Sequence, residues 1–298
     1  MKATVRYCVI SLLAMAAAVA APAADLKAPP ASAGDAPLSA DLVKTGLYLI
    51  AGGGSNSLLR LSASGSILVD AKQPGSYRAL RSQIRRISKL SDLPVRVLVI
   101  TDHHEHHAGN YAQFVNAGVA VLAQENSKRY LPVVPAGPAS GAQAAAPTVG
   151  FDREYRLRMG GIEVHVFHFG DANTDNDTVV HFPDLKVVAV GDLFTPDTPI
   201  PDFIGGGSLL GWGTALEQVL KLDFDLVVPS VGPVVGRTEL SAFKMKVDTL
   251  TARATALVKQ GVAREQFLAQ LKTDDLGWHL TLSADQVDRL FADLSPAR

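Results

Sequence analysis

The chain has 298 residues, 47% hydrophobic and 19% charged, with a formal net charge of −1. That is ordinary globular composition, enough for one large α/β domain or two small ones. Lys and Arg are scattered rather than clustered, so no nucleic-acid footprint is expected.

The N-terminus carries a targeting pattern. Lys2 and Arg6 precede an apolar stretch from Val9 to Ala20, and the small residues at 18–23 suit a cleavage site. The apolar core is short for a membrane span, so a signal peptide over 1–23 and no stable membrane insertion after its removal are expected. This places the mature chain in a periplasm or outside the cell. Cleavage also removes Cys8, the only cysteine, so any metal site must be built from nitrogen and oxygen ligands. Residues 24–40, rich in Ala, Pro and Ser, read as a disordered leader, and residues 41–298 as a single domain.

From Gly46 the chain is strand-like. Leu47–Ile50, Ser57–Leu61 and Ile67–Asp70 are apolar runs separated by Gly- and Ser-rich turns, an antiparallel opening. Over 75–90, Tyr77, Leu80, Ile84 and Ile87 recur at helical spacing, with arginines on the other side. Val95–Ile100 is β-branched and apolar enough for a buried parallel strand. A short helix over 111–116 and a strand over 119–122 follow. Residues 132–150 read as a long surface loop. Residues 153–158 and 162–169 pair across Met159-Gly160-Gly161, and two further strands flank the turn at Pro183-Asp184. Thr195–Leu210 is Pro-rich, then Gly-rich, and reads as an irregular loop. Trp212–Leu222 is predicted helical and Leu226–Val228 a strand. The C-terminal part is helical, with Ser283 and Gln286 forming a capping box. Strands, helix, strands, helices is a two-halved pattern of two sheets with helices outside.

The chemistry gathers directly after the buried strand, in Thr101-Asp102-His103-His104-Glu105-His106-His107-Ala108-Gly109-Asn110. Four imidazoles and two carboxylates occupy six positions. A strand ending there puts them at the carboxyl edge of a sheet, where open sheets keep their ligand sites. Imidazole with carboxylate is the ligand set of zinc and related divalent ions.

This stretch resembles the Thr-His-x-His-x-Asp-His-x-Gly signature of the metallo-β-lactamase superfamily. Four more segments follow that family's order. They are Ile67–Asp70 after a Gly-rich hairpin, Asn173–Pro183 against a His-Thr-x-x-Asp segment, Val188–Asp192 against the strand ending in a bridging Asp, and Val228–Pro233 against a Pro-Gly-His-Gly-Pro turn. The resemblance runs from about Leu47 to about Leu257. It implies an αββα sandwich with the metal site at one edge.

It also implies a ligand set, from which this chain departs. The family's first ion takes three His; Asp102, His104 and Asn173 stand at those positions. The second takes Asp, His and the His of the late turn; His106, His107 and Val231 stand there. Asp192 is the retained bridging carboxylate. Three of the seven customary ligands are therefore unchanged: His104, His107 and Asp192. An ion on Asp102, His104 and Asp192 keeps three protein ligands with room for water, whereas His106 and His107 would have to share Asp192, so one ion is expected more than two. Zinc is the expected metal, and the added carboxylate makes manganese or iron acceptable.

The implied partner is a small-molecule substrate, and the implied activity is hydrolysis of a lactam, lactone or thioester by metal-activated water, with His106 and Asp192 as catalytic residues. The rival is a catalytically inactive binding protein of the same fold. His103 and Glu105 occupy variable positions and are expected beside the site or facing solvent. His168 is expected to be a satisfied core histidine, Asp175 and Asp177 to bond local backbone, and Asp70 to support the His-rich loop or serve only structure.

Overall fold

A computed structural model describes residues 37–88, 93–134 and 148–295. The expected signal peptide, most of the expected leader and most of the 132–150 loop lie outside the described residues.

Among the described residues thirteen strands are arranged in two sheets. The first contains β1 (Ser39–Lys44), β2 (Leu47–Ala51), β3 (Ser57–Ser62), β4 (Gly65–Val69), β5 (Val95–Val99), β6 (Ala120–Gln124) and β7 (Val149–Phe151), in that spatial order. Strands β1 to β4 pair antiparallel, and β4 to β7 pair parallel. The second contains β8 (Glu154–Met159), β9 (Ile162–Phe167), β10 (Val179–Phe182), β11 (Val187–Gly191), β12 (Leu226–Pro229) and β13 (Val235–Gly236), in the order β13-β12-β11-β10-β9-β8. Its one parallel pair is β11–β12.

Strand alternation decides the layering. On β10, Val180 and Phe182 face the first sheet, where they meet Leu49, Val69, Val99 and Leu122 in an inter-sheet core. Val179, one position away, points outward into the core beneath the C-terminal helices. The first sheet's outer face is covered by α1 (Tyr77–Ile87) and α3 (Tyr111–Asn116), through Leu80, Ile84, Tyr111 and Phe114. The second sheet's outer face is covered by α4 (Leu209–Leu220), α5 (Arg237–Lys259), α6 (Arg264–Gln270) and α7 (Ala284–Leu294). The architecture is the αββα sandwich implied by the resemblance.

Several boundaries differ from the sequence reading, each for a local reason. Strand β1 begins at Ser39, inside the expected leader, because its backbone pairs with β2 although its side chains are largely exposed. Helix α4 starts three residues earlier than predicted, where the Ser208 hydroxyl accepts the Gly211 N–H at 3.0 Å. Strands β7 and β13, of three and two residues, are too short for a period-2 signal. The capping box at Ser283 and Gln286 forms as predicted. Among the described residues no helix is long and apolar enough to cross a membrane.

The inter-sheet core sets the distance between the two sheet edges that carry the site. Phe182 is fully buried in it. Phe182→Ala is expected to lower the unfolding free energy by about 3–5 kcal/mol, read by urea denaturation.

Candidate metal centre

Five chain segments meet at one edge of the sandwich. After β4, Asp70 and Lys72 adopt left-handed backbone conformations, φ 62° and 64°. Such residues cost about 1–2 kcal/mol each relative to right-handed conformations. The turn is held because it aims the Asp70 carboxylate at the loop after β5. Its Oδ1 accepts the Thr101 N–H and its Oδ2 accepts the Thr101 hydroxyl, both at 2.8 Å. Oδ2 also lies 2.8 Å from His107 Nδ1. That bond places the His107 proton on Nδ1 and leaves Nε2 facing the pocket. Asp70 therefore supports the His-rich loop. Asn110 secures the other side by donating from Nδ2 to the carbonyls of Ala71, Lys72 and Gln73.

The His-rich stretch is a helical turn, α2 (Glu105–Ala108). Asp192, in the turn after β11, faces it. His106 Nε2 lies 3.1 Å from Asp192 Oδ2, and His107 Nε2 lies 3.2 Å from Asp192 Oδ1. His104 Nδ1 lies 3.4 Å from Asp192 Oδ2 and 3.0 Å from Asp102 Oδ1, and His107 Nε2 lies 3.5 Å from Asp102 Oδ2. The structure so brings together Asp102, His104, His106, His107 and Asp192. It groups them by the two oxygens of Asp192, His104 and His106 on one side and His107 with Asp102 on the other.

These residues fit a divalent ion. Asp102 Oδ2, His104 Nδ1 and His107 Nε2 are buried and make no well-directed hydrogen bond, although carboxylate oxygens lie 3.0 Å from His104 Nδ1 and 3.2 Å from His107 Nε2. Buried polar atoms without well-directed partners are rare in native proteins and call for an explanation. Four ligands about 2.0–2.1 Å from zinc lie about 3.3 Å from one another on a tetrahedron, the spacing found around Asp192.

The electrostatics agree. Burial opposes charge on His104, yet Asp102 and Asp192 overcome it and raise its pKa to about 11. Burial opposes charge on His107 too, and Asp102, Asp70 and Asp192 still lift it well above the usual imidazole range. Burial disfavours ionisation of Asp192, but His107, His104 and His106 pull its carboxyl well below the ordinary range. A pocket of buried carboxylates demands positive charge close by.

Asn173 stands apart. Its Nδ2 donates to the Ile200 carbonyl at 3.3 Å, and its Oδ1 is buried without a partner, a neutral oxygen and a weak donor. Val231 sits on the late turn, 46% exposed, where it can ligate nothing. Asn56, unremarked in the sequence, pins that turn by donating to the Pro229 and Gly232 carbonyls. Asp177 accepts from the Thr174 N–H and hydroxyl, the expected local bonding. Asp175 differs from expectation: its carboxylate also reaches Arg129 and Tyr130 from another segment. His168 is satisfied by the Asp177 carbonyl at 2.8 Å. His103 is not solvent-facing: its ring stacks on Tyr130, centroids 4.1 Å apart, and its Nε2 lies 3.6 Å from Asp202.

A buried lysine was also missed. Lys72 is fully enclosed, and its Nζ donates to the carbonyls of Ile50 and Ser55 at 2.8 and 2.5 Å. One lysine after a strand end has no periodic signal of burial.

A sandwich of two mixed sheets with imidazoles and carboxylates converging at one edge defines a metallohydrolase-type fold. The metallo-β-lactamase superfamily model matches residues 50–231, more than half of the chain, and the chain belongs to that superfamily. The metallo-β-lactamase type 2 of Bacillus sp. (strain 170) is 24% identical over 183 residues, 60% of this chain and 67% of its own length. The metallo-β-lactamase IND-1 of Chryseobacterium indologenes is 27% identical over 139 residues, 47% of this chain and 54% of its own. The chain thus spans between about half and two-thirds of the length of these relatives. The solved metallo-β-lactamase from Pontibacter korlensis superposes with a TM-score of 0.59 at 21% identity, covering 71% of this chain and 99% of that one. At that identity the likeness carries the fold alone.

Two outcomes test this local structure. Asp70→Ala leaves the buried His107 and Thr101 without their acceptor, and is expected to cost about 3–5 kcal/mol of stability in urea denaturation. Burial lowers the Lys72 pKa to about 7, with Asp70 pulling the other way. Between about pH 7 and 10.5 the unfolded chain holds a proton that the folded chain does not, so stability rises with pH across that window and the full penalty applies below it. In Lys72→Met this rise, up to about 5 kcal/mol, is expected to flatten, whatever fixed cost the substitution carries.

Proposed function

We propose that the chain is an exported metal-dependent hydrolase that cleaves an acyl-type substrate, a lactam, lactone or thioester. The observation that carries this reading is the convergence of the buried His104 Nδ1 and His107 Nε2 on Asp192, with the buried Asp102 Oδ2 3.5 Å from His107 Nε2. Asp102, His104, His107 and Asp192 are the residues that would hold an ion, with His106 beside them and Asn173 offering a neutral oxygen. One ion fits better than two, because the pair His104 and His106 and the pair Asp102 and His107 both draw on the single carboxylate of Asp192 and the late turn supplies no imidazole. Zinc suits the nitrogen and oxygen donors; three carboxylates or amides in the set also suit manganese or iron. When bound, the ion supplies Lewis-acid polarisation of a substrate oxygen and an activated water.

The chain's own residues do the rest. His106 is the most exposed of the imidazoles facing Asp192, with 34% of its side chain accessible; its Nε2 donates to Asp192, so Nδ1 is the nitrogen that would take the proton released by the attacking water. Asp192 orients that imidazole. Asp70 fixes His107, and the loop carrying Asp202 approaches His104 from the opposite side, Asp202 Oδ2 lying 3.4 Å from His104 Nε2. Export rests on the Lys2–Ala23 pattern, and sequencing the N-terminus of the mature protein tests it.

The exposed Val231, standing where the family carries an imidazole, favours a second reading: a binding protein that keeps the sandwich without the reaction. Metal analysis separates the two. The hydrolase reading expects close to one divalent ion per chain in protein purified without chelator. It also expects turnover of at least one member of a lactam, lactone and thioester panel, lost on chelation and reduced by at least about 100-fold in His106→Ala. Metal content far below one ion per chain, with no turnover above free metal, gives the binding protein instead.

A further inference from the structure

Asp202 and His103 lie outside the ligand set and share one of its members, His104. His103 Nε2 lies 3.6 Å and His104 Nε2 3.4 Å from the same oxygen, Asp202 Oδ2. By spacing alone this trio could hold an ion of its own. The hydrogen bonds around it argue otherwise. Asn176 Oδ1 accepts the His103 N–H at 3.1 Å and the Ser127 hydroxyl at 3.2 Å. Its Nδ2 donates to Asp175 Oδ1 at 3.0 Å and lies 2.9 Å from His103 Nδ1. Turning the amide over would set its oxygen against the Asp175 carboxylate and its NH2 against a backbone N–H. His103 Nδ1 therefore accepts, and the His103 proton sits on Nε2, facing Asp202. At 3.6 Å this is a polar contact rather than a hydrogen bond, and with Nε2 protonated His103 is not a ligand.

Asp202 is itself built into place. Its N–H donates to the Asn173 carbonyl at 2.8 Å, and its Oδ1 accepts the Ile204 N–H at 3.0 Å, which leaves Oδ2 for the two imidazoles. The glycine run beside it makes the approach sterically feasible. A Cβ on Gly205 would lie 2.4 Å from Asp202 Oδ2 and 2.7 Å from His103 Cε1. His104 presents Nε2 to this carboxylate and Nδ1 to the pocket. The arrangement mirrors His107, whose Nδ1 is taken by Asp70 and whose Nε2 faces the pocket.

We infer that Asp202, held by His103, Asn176 and the gap at Gly205, is a positioning residue that takes the Nε2–H of His104 and so commits Nδ1 to the metal. This rests on the metallohydrolase reading of the site. Carboxylates in this relation to a ligating imidazole fix its tautomer and orientation, and their loss costs about 10–100-fold in metal affinity.

The test titrates Co2+ into metal-free full-length protein against a chromophoric chelator, with the visible Co2+ spectrum as a second readout and circular dichroism confirming the fold. Asp202→Ala is expected to weaken binding about 10–100-fold and to alter the Co2+ absorption bands. Asp202→Asn, which keeps an acceptor for the imidazole N–H, is expected to recover part of the loss. Gly205→Ala, which removes no polar group, is expected to weaken binding in the same direction by displacing Asp202. Affinity and spectrum unchanged in folded Asp202→Ala overturn the inference and leave the hydrolase reading standing. So does the loss of one of two bound ions while the other keeps its affinity, since His103 and Asp202 would then be ligands. Wild-type protein that takes up no Co2+ overturns both.

Discussion

The site depends on one buried carboxylate. Asp70 stands at the end of β4, and its oxygens gather the backbone and hydroxyl of Thr101 and the imidazole of His107. That acceptor, with the three carbonyls bonded by Asn110, folds the loop after β5 back across the sheet edge. Two non-glycine residues in left-handed conformations, Asp70 and Lys72, are tolerated to make the turn. Strain of this kind persists where the surroundings over-determine it, and here the three bonds to Asp70 do so. The enclosed Lys72 packs beneath the same turn and ties it to the β2–β3 connection through Ile50 and Ser55.

From that anchor the electrostatics follow. Asp102 stands where the family has an imidazole, and it adds a negative charge to a pocket that already holds Asp192. The neighbouring imidazoles respond by favouring their charged forms, and the buried polar atoms of Asp102, His104 and His107 face one another at metal-ligand spacing. The substitutions exchange donor types: Asp102 puts oxygen where the family has nitrogen, and His106 puts nitrogen where it has oxygen. The loss at Val231 falls on the far side, on a turn whose backbone remains pinned by Asn56. Superfamily membership together with this partial retention makes a single-ion hydrolase the economical reading.

A recurring device orients the imidazoles. Asp70 serves His107 from the β4 end, and Asp202 faces His104 from the Gly-rich loop. Each carboxylate comes from a segment distant in the chain, and each addresses the ring nitrogen that the pocket does not use. The three glycines at 205–207 owe their identity to this close packing: a side chain at 205 would strike Asp202 and His103, one at 206 would strike Asp175, and one at 207 would strike the Asn173 carbonyl.

Much of this was legible in the chain itself. The apolar run of Val95–Ile100 marked a buried parallel strand, and the density of His and Asp after it marked a sheet-edge site, because period and composition are local properties. The order of five family segments carried the sandwich, and the strand and helix cores followed from their apolar spacing. What no linear pattern could supply was contact between distant segments. That Asp70 reaches Thr101, that Asp175 reaches Arg129, that His103 belongs beside Asp202 rather than in solvent, and that the two oxygens of Asp192 sort the imidazoles into two groups are all consequences of which sheet edges meet. Residue types and their spacing determined that a metal-binding edge would exist; only the packing of one sheet on the other decided which nitrogen and which oxygen face it, because hydrogen-bond direction is a property of three-dimensional neighbours and not of sequence.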